Sequence, residues 1–98
     1  MQPASIQRID DDRFAISGDL VFETVPQAER VAKGLLDAGS DAELDLQNIG
    51  QVNSAGIALL VDWYARYFKN RRQLHFRNIP SHLQRLIKVN ELTAIFTA

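Results

Sequence analysis

Short β-prone runs alternate with stretches of helical period along this chain, and that alternation leaves few folds open to it. Ser5-Ile6-Gln7-Arg8-Ile9 and Arg13-Phe14-Ala15-Ile16-Ser17 come first, separated by Asp10-Asp11-Asp12. Acids at such a junction favour a turn, which predicts an antiparallel hairpin rather than a metal site. Gly18-Asp19-Leu20 closes the second run. Thr24-Val25-Pro26-Gln27 reads as a helix entry, with Thr24 as the cap, Pro26 in the first turn and Gln27 where a capping box needs it. Val25, Ala28, Val31, Ala32, Leu35 and Leu36 then recur at helical spacing, and Gly39 supplies a left-handed stop. Ala42-Glu43-Leu44-Asp45-Leu46 alternates, with Leu44 and Leu46 on one face, as a strand does. The polar, extended Gln47–Gln51 leads from it into a second helix, from Ser54 to about Lys69, which Asn70 closes in the αL conformation. Gln73-Leu74-His75-Phe76-Arg77 alternates again, with Leu74 and Phe76 inward. Pro80-Ser81 opens a last helix carrying Leu83, Leu86 and Ile87 and ending near Asn90. Leu92, Ile95 and Phe96 fold back as an apolar tail.

The predicted order is β-β-α-β-α-β-α. Strands alternating with helices imply right-handed crossovers, hence an α/β fold with a mixed, mostly parallel sheet packed by helices and the first strand antiparallel at one side. With 98 residues, residues 1–98 are expected to form a single domain of about 13 Å radius of gyration, with one core and little room for a deep pocket. A formal net charge of -1 gives no electrostatic reason for a nucleic-acid partner. The absence of cysteine excludes disulfides and thiolate metal sites and fits a cytoplasmic chain. Residues 1–20 hold no uninterrupted apolar segment of the signal-peptide kind, and no run approaches the ~20 apolar residues that span a bilayer. Direct membrane insertion is therefore not expected, and any membrane association comes through a partner.

The second helix carries the most informative start. Ser54 stands where an N-cap belongs, Ala55 and Gly56 follow, and no acid appears until Asp62. The third residue after Ser54 is Ile57, so no capping box can form. The first-turn amides and the positive end of the dipole are left uncovered, as a docking surface or an anion site. At 100° per residue Ile57, Leu60, Val61, Tyr64 and Phe68 cluster on one face, the expected core face, while Leu59 lies roughly 150° and Trp63 roughly 110° from its centre. Ala55, Leu59, Asp62, Trp63 and Arg66 then form a second, partly exposed strip running down from Asn53 and Ser54. Leu beside Trp under a bare helix start reads as an interface. The alternative is that Trp63 covers the sheet edge or the tail.

Chemistry is harder to place. A hydrolase would need a base for Ser54, and nothing in the spacing brings His75 or His82 to it, nor does a nucleophile-elbow glycine precede it. Two histidines without cysteine make a poor metal case, and there is no phosphate-cradling Gly-rich loop with a lysine. No cofactor is expected. Arg66, Lys69, Arg71, Arg72 and Arg77 read as a solvated helix end, with an acidic partner or lipid headgroups as the alternative.

At Asp45-Leu46 and Val52-Asn53-Ser54-Ala55-Gly56-Ile57-Ala58-Leu59-Leu60 the chain resembles the STAS domain family. The order of elements, the Gly18-Asp19-Leu20 strand end and the length agree with it, over nearly the whole chain. In the anti-sigma-factor antagonists of that family an Asp-Ser-Ser-Gly sequence carries the serine phosphorylated by a kinase partner. Ser54 falls on that serine, with Asn53 in place of the acid and Ala55 in place of the second serine. Another branch is the small STAS subunit of the Mla-type ABC transporter, which maintains outer-membrane lipid asymmetry. Ser54 to Leu60 followed by Asp62-Trp63, and the later Leu74-His75-Phe76-Arg77-Asn78-Ile79-Pro80, look like that branch. The resemblance implies a non-catalytic subunit at the inner face of the inner membrane, bound to the transporter's ATPase. Asn53, Ser54, Ala55, Gly56, Leu59, Asp62, Trp63 and Arg66 would make the contact, and ATP would be bound by the partner. The alternative is an antagonist whose binding to an anti-sigma factor kinase is switched by phosphorylation of Ser54.

Overall fold

A computed structural model describes residues 1–36 and 41–97. Strands β1 (Ser5–Arg8) and β2 (Arg13–Leu20) form the expected hairpin, followed by α1 (Val25–Leu36), β3 (Ala42–Val52), α2 (Ser54–Lys69), β4 (Leu74–Arg77), α3 (Ser81–Val89) and a short α4 (Thr93–Phe96). The four strands lie in sequence order. β1 pairs antiparallel with β2, and β2, β3 and β4 are parallel. Arg13 and Asp10 close the hairpin turn as an ion pair.

Strand order explains the strand sequences. Successive right-handed crossovers that advance in one direction place every connecting helix on the same face of the sheet. The other face is left to water, so strands must alternate, unlike the continuous apolar runs of a sheet covered on both sides. Phe14, Ile16 and Leu20 of β2, Leu44 and Leu46 of β3, and Leu74 and Phe76 of β4 are buried under the helices. Arg13, Ser17, Glu43, Asp45 and Arg77 lie at the positions between them. On that open face Arg77 Nε lies 3.0 Å from Glu43 Oε1.

β3 is interrupted twice. From Ala15 to Ser17, and again from Gly18 to Leu20, two steps on β2 match three on β3. The first irregularity turns Gln47 and Asn48 both outward and returns Ile49 to the core. Each amide displaced from the ladder finds a carboxylate. Gln47 N donates to Asp45 Oδ1 (2.9 Å) and Gln51 N donates to Asp19 Oδ1 (2.9 Å). A backbone donor left unpaired there would cost about as much as a lost hydrogen bond. The extended segment read from the sequence is thus the bent end of β3, aimed at the start of α2.

Several local expectations change. Thr24 does not cap α1 in a capping box. Its buried hydroxyl faces backwards, accepting from Val21 N (3.0 Å) and donating to Asp19 O (2.6 Å). Val31, one of the residues recurring at helical spacing, is 41% exposed. The stop assigned to Gly39 lies outside the described residues. α2 ends with Arg71, not Asn70, in the left-handed region (φ 59°), as Arg72 N reaches Tyr67 O (2.9 Å) and Arg71 N reaches Phe68 O (3.0 Å). α3 ends the same way at Glu91, with Leu92 N on Ile87 O. In both, the preceding asparagine side chain, Asn70 or Asn90, donates to the carbonyl four residues back. These are Schellman endings with a non-glycine αL residue. The tail folds back as expected, with Phe96 stacked on Phe76 at 4.5 Å between ring centres.

The largest correction concerns α2. Its buried residues are Gly56, Ile57, Leu59, Leu60, Trp63 and Tyr67, while Phe68, placed in the core by its spacing, is 67% exposed and Val61 and Tyr64 are half-buried. The helix is turned by roughly 90° about its axis from the predicted orientation. Its large apolar residues spread over an arc of roughly 200°, so period alone does not say which half of that arc is buried. Two tertiary contacts choose. Gly56 lies against the end of β2, where a Cβ would stand 2.1 Å from Leu20 O. Trp63 and Tyr67 face α1 beside Ala32 and Leu36, and the Tyr67 hydroxyl donates to Leu36 O (2.6 Å).

Two glycine substitutions should act in opposite directions. Gly56→Ala forces the helix off the Leu20 carbonyl and is expected to destabilise the domain by about 1–3 kcal/mol. Gly34→Ala, in α1 where an added Cβ meets nothing within 4 Å, should stabilise it by about 0.5–1 kcal/mol. Urea denaturation midpoints of the two variants check both signs.

Candidate functional site

The start of α2 sits at the carboxyl ends of β2 and β3, the place where parallel sheets present their sites. The cap is Asn53, not Ser54. Asn53 is extended (φ -114°, ψ -169°) and its side chain accepts from Ala55 N at 3.0 Å. Ser54 is therefore the first helical residue. It is exposed, and among the described residues its hydroxyl has no partner within the chain. No acid lies in the first turn, so the helix itself supplies no negative charge to the positive end of its dipole.

The surroundings of this end are built from Asp19. Its carboxylate accepts from Gln2 N (3.0 Å) and Gln51 N (2.9 Å), tying the N-terminal segment and the bent end of β3 together. Gly50 makes room for it, since a Cβ there would stand 2.2 Å from Asp19 Oδ1. These two amides, Gln2's the stronger, hold the Asp19 carboxyl below the usual carboxylate range. An open concavity of about 590 Å³ follows, in which Asp19, Glu23 and His82 line the wall with Val21, Asn53 and Leu86. Phe22, between Val21 and Glu23, is 75% exposed. Sequence reasoning missed it, because a single aromatic in a four-residue loop has no period to reveal it.

His82 stands nearer this end than its spacing suggested, sharing the concavity with Asn53. Its Nε2 lies 2.7 Å from Gly50 O. A carbonyl only accepts, so that nitrogen carries the proton and is not a base directed at Ser54.

The predicted site residues divide. Asn53, Ser54 and Ala55 come together at the open end, with Ala55 half-buried. Gly56 is buried against β2. Leu59 and Trp63, expected on an exposed flank, are 5% and 3% exposed and belong to the core. Burial of a leucine contributes about 1.5–3 kcal/mol, which is lost if the side chain turns out to a partner. Asp62 and Arg66 remain at the surface but hold the protein's own parts together. Arg66 bridges Asp62 (2.6 Å) and Glu29 of α1 (2.8 Å). The remaining cations are dispersed, with Arg72 stacked over Tyr67 at 4.4 Å and Arg77 on Glu43.

Rotation of α2 exposes a different strip. Ser54, Ala58, Val61, Ala65 and Phe68 follow one another at helical spacing along the solvent side, and no charge interrupts them. Alanines at 58 and 65 let another backbone approach closely. Phe68 supplies an aromatic edge, loosely stacked on Tyr64 at 6.4 Å. Asp62 and Lys69 border the strip.

Known proteins share this architecture. A family model described as Mlab, STAS domain matches residues 7–97. Anti-sigma-B factor antagonists from several Staphylococcus aureus strains, COL and Mu50 among them, are 25% identical over 92 residues, covering 90% of this chain and 85% of theirs. The anti-sigma factor antagonist SpoIIAA in its unphosphorylated form superposes with a TM-score of 0.66 at 11% identity, over 87% of this chain and 81% of its own. An uncharacterised protein of SpoIIAA-like fold from Shewanella loihica does so with a TM-score of 0.54 at 14% identity, over 99% and 84%.

Two measurements check the geometry. Leu59→Asp places an unpaired charge in the core and should destabilise the domain by about 3–5 kcal/mol, whereas Ala58→Asp should change stability by less than about 0.5 kcal/mol. Equal effects in thermal melts would overturn the orientation of α2. Because folding lowers the Asp19 pKa, its contribution is present above the unfolded carboxylate pKa and is lost as pH falls through the folded value. The melting temperature of Asp19→Asn should therefore fall less steeply in acid than that of the parent chain.

Proposed function

We propose that this chain, which belongs to the STAS domain family, is a non-catalytic binding subunit. Its partner is the cytoplasmic ATPase of an Mla-type ABC transporter, and it docks through the open start and solvent face of α2. The carrying observation is the combination at one end of one helix. Ser54 is exposed at the first helical position, no acid covers the first turn, and the uncharged strip of Ala58, Val61, Ala65 and Phe68 runs on from it. A helix presented this way offers a partner both a polar end and an apolar ridge. Phe22 adds an aromatic anchor near the same end. The match to a model described as Mlab supports the transporter branch, as does Ala55 where the antagonists have a second serine. ATP is bound by the ATPase. The chain reaches the inner face of the inner membrane only through it, since among the described residues no helix is long and apolar enough to cross a membrane.

The relatives named as anti-sigma-B factor antagonists favour a second reading. In it Ser54, with its free and exposed hydroxyl, is phosphorylated by an anti-sigma factor kinase. The added charge of about -1.5 to -2 beside the helix end switches docking off.

Affinity purification from native membranes separates the two, returning an ABC ATPase and permease in the first case and a soluble kinase that adds one phosphate to Ser54 in the second. In either case Ser54→Arg and Ala58→Arg should abolish capture while far-UV circular dichroism stays unchanged. Capture retained by both variants overturns the docking face.

A further inference from the structure

Residues 1–3 join the docking end without belonging to either helix there. Met1 lines the same concavity as Asn53, Glu23 and His82. Gln2 meets Asp19 at two points. Asp19 N donates to Gln2 O (3.0 Å), and Gln2 N donates to Asp19 Oδ2 (3.0 Å). The other carboxylate oxygen, Oδ1, accepts from Gln51 N (2.9 Å), just ahead of the Asn53 cap. Two glycines keep this arrangement clear of side chains. A Cβ on Gly18, whose φ is +84°, would stand 2.1 Å from Pro3 O, and one on Gly50 would stand 2.2 Å from Asp19 Oδ1. The attached position is therefore specific. It is also lightly held, because Met1, Gln2 and Pro3 are all exposed. A pair of hydrogen bonds, one of them to a carboxylate, opposes the entropy of ordering this short segment, and the two effects are of similar size.

We propose that residues 1–3 form a releasable strap that controls the order of the docking end, with Asp19 as the positioning residue between them. Attached, the strap fixes the Asp19 carboxylate, which holds the bent end of β3 and with it the Asn53 cap and Ser54. Released, it frees that carboxylate to rotate, the end of β3 loosens, and docking weakens. One planar group bonds both segments, an oxygen to each, so a change at Gln2 reaches Gln51 directly. The Asp19 backbone does not leave with the strap, because Thr24 Oγ1 donates to Asp19 O (2.6 Å). The sign follows from preorganisation, since an end already held in place has less freedom to lose when a partner binds. The effect on docking rests on the assignment of the α2 start as the docking end. The coupling from Gln2 to the cap does not.

The test measures backbone amide exchange by NMR on the full chain labelled with nitrogen-15. Gln2→Pro removes the Gln2 N–H donor and leaves the carboxylate in place. Exchange at Gln51 and Ala55 is expected to rise about threefold or more, with Leu46 and Leu60 in the core unchanged. Asp19→Asn keeps the shape but offers an oxygen to one side only. It should produce the rise by itself and leave Gln2→Pro without further effect. Unchanged exchange at Gln51 and Ala55, an equal rise at every amide, or additive effects of the two substitutions would overturn the strap. In affinity capture from native membranes, Gln2→Pro should lower the partner recovered by about threefold or more. Capture abolished by Ser54→Arg but untouched by Gln2→Pro removes the strap from docking and defeats the proposal. Capture retained by Ser54→Arg as well defeats the docking face instead, and the exchange rates still decide the strap.

Discussion

At Gly56 the backbone of α2 rests on the carbonyl of Leu20 with no side chain between them. That contact places the helix, and much of the rest follows from where the helix lies. It brings Asn53 N within 3.4 Å of the same carbonyl, so the cap, the end of β2 and the first turn of α2 meet at one point. It also turns Leu59 and Trp63 inward, where Trp63 lines one cleft with Ala32 and Leu36 of α1. A larger residue at 56 would open this junction, and the interior is too closely packed to absorb the shift elsewhere.

The sheet delivers the chain to that junction by being irregular. A regular β3 would keep every amide in the ladder and leave Asp45 and Asp19 without their partners Gln47 N and Gln51 N. The second of these irregularities bends the strand toward Asn53 and binds Gln2 into the same hub. Helices on one face only and a sheet open on the other let a chain of 98 residues keep one core and still leave one side of α2 open to solvent along its length.

On that presented face lie Ser54, Ala58, Val61, Ala65 and Phe68. The strip is apolar and flat at its middle, polar at its start and aromatic at its end. Neither reading of the partner requires the domain to change shape. A transporter ATPase would cover the strip, and a phosphate on Ser54 would alter only the charge at its beginning. Of Asp62 and Arg66, which the primary structure offered as contact residues, Arg66 reaches Glu29 of α1, while Asp62 pairs with Arg66 along α2 itself.

Legibility in the sequence followed the strength of the local signal. The element order, the antiparallel hairpin at the edge, the apolar tail ending in Phe96 and the exposed start of α2 were readable. Each rests on period, on turn chemistry or on the absence of an acid, all of which are properties of neighbouring residues. The resemblance over Val52–Leu60 likewise pointed to the family that the match over residues 7–97 establishes. The buried face of α2 was misplaced, because Leu59, Leu60, Val61, Trp63, Tyr64, Tyr67 and Phe68 spread over an arc of roughly 200°, wider than one buried face, and either half of that arc could be taken for the core. The choice between Trp63 and Phe68 for the core was made by α1 and by the Leu20 carbonyl, partners distant in sequence. For the same reason Asn53 displaced Ser54 as the cap. Either residue type can cap a helix, and the position is set by where the bent end of β3, held by Asp19 and Gly50, releases the chain.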